Sequence, residues 1–289
     1  MVIPAPEGGG LLLVDKPAGM TSHDVVAIVR RATQSRRVGH TGTLDPFATG
    51  LLVVLVGRGT RLIPYVDGEP KVYEAVIRFG AETDTDDGTG DVTRTAAAPN
   101  DVAIAEGIAR LTGEIDQIPP SYSAKKVDGT RAYDAARRGL SLELKASRVI
   151  VHQWVLLAKT ENDLTVRVTC GGGTYIRALA RDLGRYAESA AHLIALRRLR
   201  SGPFDVADAV TVDQLRQGIL ALRPLRSGVP SLPTQQVDGA ELRRVVHGNA
   251  IVARTAGSRV ALLDDKETLI AVADRAADEL RPALVLRDE

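Results

Sequence analysis

Residues 37–52 read RVGHTGTLDPFATGLL, a run in which glycines at 39, 42 and 50 space out a polar loop around one carboxylate, Asp45. Pro46 follows it directly. A proline biases the residue before it toward an extended backbone and has no N–H of its own, so the chain is stiff where Asp45 is presented. A carboxylate held in this way suits a nucleophile or a general base. The same residue type also closes turns by accepting backbone hydrogen bonds, and the residues alone leave both roles open.

Other clusters of reactive residue types carry less. Gly171–Thr174 holds three glycines but neither a GK[ST] nor a GxGxxG pattern, so it does not read as a nucleotide-binding loop. The acidic run Glu82–Gly90 fails as a calcium loop: started at Glu82 it puts Asp87 where glycine is needed, and started at Asp84 it ends on Thr95 instead of a glutamate. Ser22-His23-Asp24 has the residue types of a hydrolase triad, but adjacent residues point in different directions. The histidines at 23, 40, 152, 192 and 247 show no ligand spacing, so no metal is expected. Cys170 is the single cysteine and reads as a buried thiol of a cytoplasmic protein.

These groups need a scaffold, and 289 residues suffice for one large domain with a small one beside it. The opening MVIPAPEGGG lacks the basic and apolar regions of a signal peptide. The apolar run Leu51–Val56 is far too short to span a membrane. Net charge is +1, so bulk electrostatics announce no partner. The arginines do cluster, at Arg30, Arg31, Arg36 and Arg37, at Arg137 and Arg138, and at Arg197, Arg198 and Arg200. Such groups suit a phosphate-binding face and equally a solvated helix.

The periodicity predicts strands at Gly10–Val14, Leu51–Val56, Lys71–Phe79, Val149–Ala158, Leu164–Cys170 and His192–Leu199. Helices are predicted at Asp24–Ala32 with Ser22 as N-cap, at Asn100–Leu111, at Tyr175–Ala187 and at Thr211–Gly218. Strands and helices do not alternate regularly. The expected fold is therefore α+β, with a mixed, largely antiparallel sheet as its core. The stretch Pro224–Pro233 reads as a domain boundary, followed by a small β-rich module.

The Asp45 segment closely resembles the signature of the TruB family of pseudouridine synthases, in which a G-H-x-G-T-L-D-P-x-A-T-G-x-L loop carries the catalytic aspartate. LVDKPAGMTS (Leu13–Ser22), KVYEA (Lys71–Ala75), FGAETDTDDG (Phe79–Gly88), PPSYSAKKVDGTRAYDAARR (Pro119–Arg138), GGTYIRALARDLG (Gly172–Gly184) and HLIALRRLRSGPF (His192–Phe204) resemble further family segments in the same order. The resemblance covers residues 10–215. It implies a catalytic domain over residues 1–225 with the pseudouridine synthase fold. More vaguely, it implies a PUA-like RNA-binding domain over residues 230–289.

The resemblance also implies an activity: isomerisation of a uridine in the T-loop of tRNA, at tRNA position 55, a reaction that adds and removes no group and so needs no cofactor. A cytoplasmic monomer without metal, membrane or protein partner is expected. The base must leave the stack before it can be turned over. Asp45 would then attack C1′ or C6, or take the ribose 2′ proton. Arg177 matches the arginine that pairs with the aspartate, and Tyr73 the tyrosine that packs on the flipped uracil. Tyr175 and Leu196 match further uridine contacts, and His40 the histidine that enters the T-loop where the base has left. Lys16, Lys126, Arg197 and Arg198 are candidate phosphate contacts. Two alternatives remain: a catalytic subunit of a guide-RNA-directed complex, and a non-catalytic tRNA-folding chaperone.

Overall fold

The computed structural model describes residues 9–122, 126–127, 130–131 and 144–287. The chain forms two compact units, Met1–Gly68 with Ser201–Glu289, and Glu69–Arg200.

The first unit begins with β1 (Gly10–Lys16), α1 (Ser22–Thr33), β2 (Val38–His40) and β3 (Thr49–Val56). β1 and β3 pair antiparallel, Leu12 opposite Val54 and Val14 opposite Leu52. Side chains alternate across a strand, so Leu12, Val14, Leu52 and Val54 pack with Val25, Val26 and Val29 of α1. Leu11, Leu13, Leu51 and Val53 pack with Phe204 on the opposite face. Burial on both faces is why these strands read as unbroken apolar runs. Each α1 valine withdrawn from water contributes about 1.5–3 kcal/mol. The helix starts at Ser22, two residues earlier than expected, and its cap one residue earlier. Thr21 is its N-cap, in a capping box with Asp24, because the Ser22 hydroxyl is engaged elsewhere.

The same unit contains a second sheet, in the order Thr234–Gln236, Arg259–Leu263, Leu269–Ala276, Glu279–Val285, Ile251–Val252. One face packs with Val245 of the helix Gly239–Val246, an element the periodicity did not predict. The other face buries Ala261, Leu263, Leu269, Val272 and Leu284 against Leu55, Leu62, Leu225 and Val229. The proline-rich stretch 224–233 therefore contributes Leu225 and Val229 to a packed core, while Pro230 and Ser231 stay exposed. It is further tied down where Asp67 accepts hydrogen bonds from the Ser231 amide (2.9 Å) and hydroxyl (2.8 Å).

The second unit runs through β4 (Lys71–Phe79), β5 (Ala81–Thr83), β6 (Val92–Thr95), α2 (Asp101–Arg110) and β7 (Gly113–Gln117). It continues with the two-residue β8 (Lys126–Val127) and β9 (Thr130–Arg131), β10 (Ser147–Lys159), β11 (Asp163–Cys170), α3 (Ile176–Tyr186) and β12 (Ala191–Ser201). Its sheet has the order β12-β4-β11-β10-β7. β4 alternates as expected: Tyr73, Ala75, Ile77 and Phe79 are buried. Glu74 and Arg78 on the other face pair with the residues opposite them on β11, Arg167 at 2.6 Å and Asp163 at 2.8 Å. Asn100 caps α2, its Oδ1 accepting from the Ala103 amide at 2.9 Å, where the sequence left Asn100 and Asp101 both open as the cap. Among the described residues no helix is long and apolar enough to cross a membrane.

Candidate active site

The loop that carries Asp45 is pinned from several sides within the first unit. The Leu44 amide donates to the Ser22 hydroxyl at 2.9 Å, and that hydroxyl donates to the Leu44 carbonyl at 3.2 Å. The Ala48 amide donates to the Asp45 carbonyl at 3.1 Å, and the Gly19 amide to the Pro46 carbonyl at 2.8 Å. Lys16 is fully buried at the end of β1, and its ammonium donates to the carbonyls of Pro17 (2.9 Å), Met20 (2.7 Å) and Pro46 (3.3 Å). This differs from the expectation of a phosphate contact. Lys16 ties the turn after β1 to the aspartate loop, and the carbonyl oxygens replace the water its side chain loses on burial. Asp45 itself is half-buried. His40 ends β2, opposite Val54 on β3. Gly39 precedes it, where a Cβ would stand 2.8 Å from Ile63 Cδ1.

Tyr73, Tyr175, Arg177, Leu196, Arg197 and Arg198 belong to the second unit. Tyr73 is buried on β4, opposite Val168. On neighbouring β12, Leu196 and Arg198 are buried two residues apart and Arg197 between them is half-buried. Lys71, two residues before Tyr73, has its pKa held down first by burial and then by the Arg198 charge. Tyr175 is the N-cap residue of α3, and its backbone is gripped at both ends by one buried side chain. Gln117 accepts from the Tyr175 amide at 2.8 Å and donates to its carbonyl at 3.1 Å. Lys126 lies in β8, its side chain outside the described residues, as are Arg137 and Arg138.

Arg177 is 4% exposed, far from the solvated residue that its place in a first helical turn would suggest. Its guanidinium donates to the Thr85 carbonyl at 2.7 Å and the Tyr122 carbonyl at 2.8 Å, and lies 3.6 Å from the Asp87 carboxylate. Asp87 is in turn fixed by the Thr85 hydroxyl (2.9 Å) and the Thr89 amide (3.0 Å). The acidic run that failed as a calcium loop is thus the seat of Arg177. Sequence reasoning passed over Asp87, Thr85 and Gln117. One signal was available: Arg177, Arg181 and Arg185 recur every four residues, which puts three cations on one helix face.

Among the described residues no group of three His, Cys, Asp or Glu side chains could hold a metal ion. Burial pushes the Cys170 thiol up to about 11, which keeps it protonated and a poor nucleophile. The chemistry on offer is that of a supported carboxylate, a buried guanidinium and two tyrosines.

The family model for the TruB family pseudouridylate synthase N-terminal domain matches residues 30–176, and that for the tRNA pseudouridylate synthase B C-terminal domain matches residues 177–247. The chain belongs to the TruB family of pseudouridylate synthases. Its relatives include a tRNA pseudouridine synthase B of Thermobifida fusca, 44% identical over 96% of this chain and 98% of that one. Another, of Leifsonia xyli, is 50% identical over 78% of this chain and 77% of that one. Among solved structures, a Cbf5-Nop10-Gar1 complex matches this TruB-family chain with a TM-score of 0.73 and 26% identity, covering 98% of this chain and 86% of the other.

Proposed function

We propose that this TruB-family enzyme converts a uridine in the T-loop of tRNA, at tRNA position 55, to pseudouridine. The observation that carries the reading is the Asp45 loop, GHTGTLDPFATGLL, stapled by Ser22 and Lys16 so that one carboxylate is presented on a rigid support. The reaction breaks the N1–C1′ bond and joins C1′ to C5 of the same base, which loses its C5 proton while N1 gains one. No group is added or removed, so no cofactor is required.

Asp45 attacks C1′ or C6, or takes the 2′ proton, and each route needs the ionised carboxylate. Arg177 is its cationic partner. Tyr73, Tyr175 and Leu196 enclose the flipped uracil, and His40 fills the place the base has left in the T-loop, offsetting lost stacking. Lys126, Arg197 and Arg198 meet phosphates. Residues 1–225 carry catalysis and residues 230–289 contribute RNA binding. The enzyme works in the cytoplasm as a monomer, without a protein partner.

The relatives at 44% and 50% identity favour an autonomous enzyme over the likeness to Cbf5, which is crystallised with Nop10 and Gar1. The deciding experiment incubates purified protein alone with an unmodified tRNA transcript and maps pseudouridine. Product at the T-loop uridine is expected. Product only with added guide RNA would make the chain a subunit of a guided complex, and binding without product would make it a folding chaperone.

A further inference from the structure

The acidic turn and α3 meet in three rungs. Arg185 bonds Glu82 at 2.7 Å, Arg181 bonds Asp86 at 2.8 Å, and Arg177 sits 3.6 Å from Asp87. The arginines are successive residues of one helix face, so the order along the turn runs antiparallel to the order along the helix. The middle rung is the most enclosed after that of Arg177, with both side chains only 9% exposed. Arg181 also donates to the Ile118 carbonyl at 2.8 Å, as Arg177 does to Tyr122. Asp86 adopts a left-handed backbone, φ 60°. That conformation is uphill for a residue with a Cβ, although Asp tolerates it, and it reverses the chain between Thr85 and Asp87.

We propose that the Asp86–Arg181 pair is a positioning device for the reaction: it locks the reversal that aims the Thr85 carbonyl and the Asp87 carboxylate at Arg177, and so fixes the Arg177 guanidinium. Neither residue of the pair touches the substrate. The inference rests on reading Arg177 as the partner of Asp45. A fully paired, nearly buried rung adds little net stability, since desolvation offsets the attraction, but it orients strongly. It is also sensitive to acid. Burial raises the Asp86 pKa to about 6, against the pull of Arg181, Arg177 and Arg185 and with a further push from Asp182. On acidification Asp86 takes up a proton and the rung loses its anion, while the Arg181 guanidinium keeps its charge and its contact with Asp182.

The test uses full-length Asp86→Asn, Arg181→Met and the double variant, with single-turnover pseudouridine formation and tRNA affinity measured from pH 7.5 to 5.5. Asn tolerates the left-handed backbone, and the double variant removes both charges of the rung, leaving only the partly exposed Asp182 without its Arg181 partner; circular dichroism checks that each variant is folded. Each variant should slow chemistry roughly tenfold to a hundredfold at pH 7.5, the scale of a small misplacement, while tRNA affinity changes less than about threefold. The double variant should be no slower than the slower single one, because all three remove the same rung. Arg181→Lys should retain part of the rate. The ratio of wild-type to Asp86→Asn rate should shrink toward one as pH falls, because acid removes from the wild type what the substitution removes outright.

A folded double variant turning over at the wild-type rate would overturn the proposal. So would a rate ratio independent of pH, or a loss explained wholly by the unfolded fraction. Should Asp45→Asn or Arg177→Ala remain active in the same assay, the parent reading of the site has failed instead.

Discussion

Around Asp45 the support is mostly aliphatic carbon and main chain: β1 and β3 are buried on both faces, and the Ser22 hydroxyl and the buried Lys16 ammonium fasten the loop through backbone groups. Around Arg177 they are charges, with Asp87, Asp86 and Glu82 facing three arginines of one helix. Both arrangements hold a side chain still, yet they respond to different perturbations. Apolar packing ignores pH and salt and collapses when volume is removed. Charged rungs orient more sharply, add little stability, and change with protonation. The Asp45 loop stands on the insensitive support, and Arg177 stands on the sensitive one.

The contrast breaks most completely at Asp45. Asp45→Asn keeps the shape and loses the charge, so product should fall below detection in a pseudouridine assay while tRNA binding and melting temperature stay near wild type. Comparable turnover would remove Asp45 from the mechanism.

Next in size is deletion of residues 230–289. Leu55, Leu62, Leu225 and Val229 would lose the face formed by Ala261, Leu263, Leu269, Val272 and Leu284. Each large side chain stripped of its partners costs about 2–5 kcal/mol, against a total stability of about 5–15 kcal/mol. The truncated chain should aggregate or melt without cooperativity. Leu263→Ala, a milder cut into the same face, should lower stability by about 2–4 kcal/mol in denaturant titration. A truncated chain that melts as the intact one does would show that the shared face is dispensable.

Lys16 separates a support from a ligand contact. Lys16→Met keeps the aliphatic stem and releases three carbonyls, costing about 1.5–3 kcal/mol, and should lower the single-turnover rate. A phosphate contact, by contrast, would reduce the slope of log affinity against log salt by about one. That slope should not change, and a change of that size would return Lys16 to the RNA interface.

How much of this was legible in the sequence depended on whether the cause was local. The β4 alternation, the Asn100 cap and the apolar runs of β1 and β3 follow from propensity and periodicity within a few residues. β6 is exposed at every position, and β7 has only Gln117 buried, so neither carries an apolar rhythm to detect. The eight-residue helix Gly239–Val246 is too short to announce itself in a β-rich module. Within the site, the Asp45 loop was readable because its residues are contiguous. The seat of Arg177 was not: Asp87 and Arg177 lie ninety residues apart, and only the fold joins them. Lys16 read as a candidate phosphate contact because burial of an ammonium is decided by the carbonyls around it, which no local pattern reveals.

The smallest expected effect sharpens the comparison within the acidic turn itself. Glu82 and Asp86 sit four residues apart, both buried, and are displaced in opposite directions. At Glu82 burial raises the pKa, but Arg185 and then Arg94 outweigh it, so the carboxyl titrates below its ordinary value. At Asp86 burial prevails, and the pKa rises from 3.8 to about 6. The linkage signs follow. Glu82 contributes stability above its unfolded pKa, and that contribution is lost as pH falls through the depressed folded value. Asp86 binds its proton more tightly in the folded state, so between about pH 6 and pH 4 it makes the fold more stable as pH falls, by on the order of 3 kcal/mol at most. Asp86→Asn cannot titrate. Measured against wild type by denaturant unfolding, it should therefore lose ground steadily between pH 7 and pH 4. Glu82→Gln should lose ground in the other direction, being most destabilised relative to wild type near neutrality and converging below pH 4. If the two variants track each other across this range, the two rungs share one environment and the opposite displacement of their carboxyls is wrong.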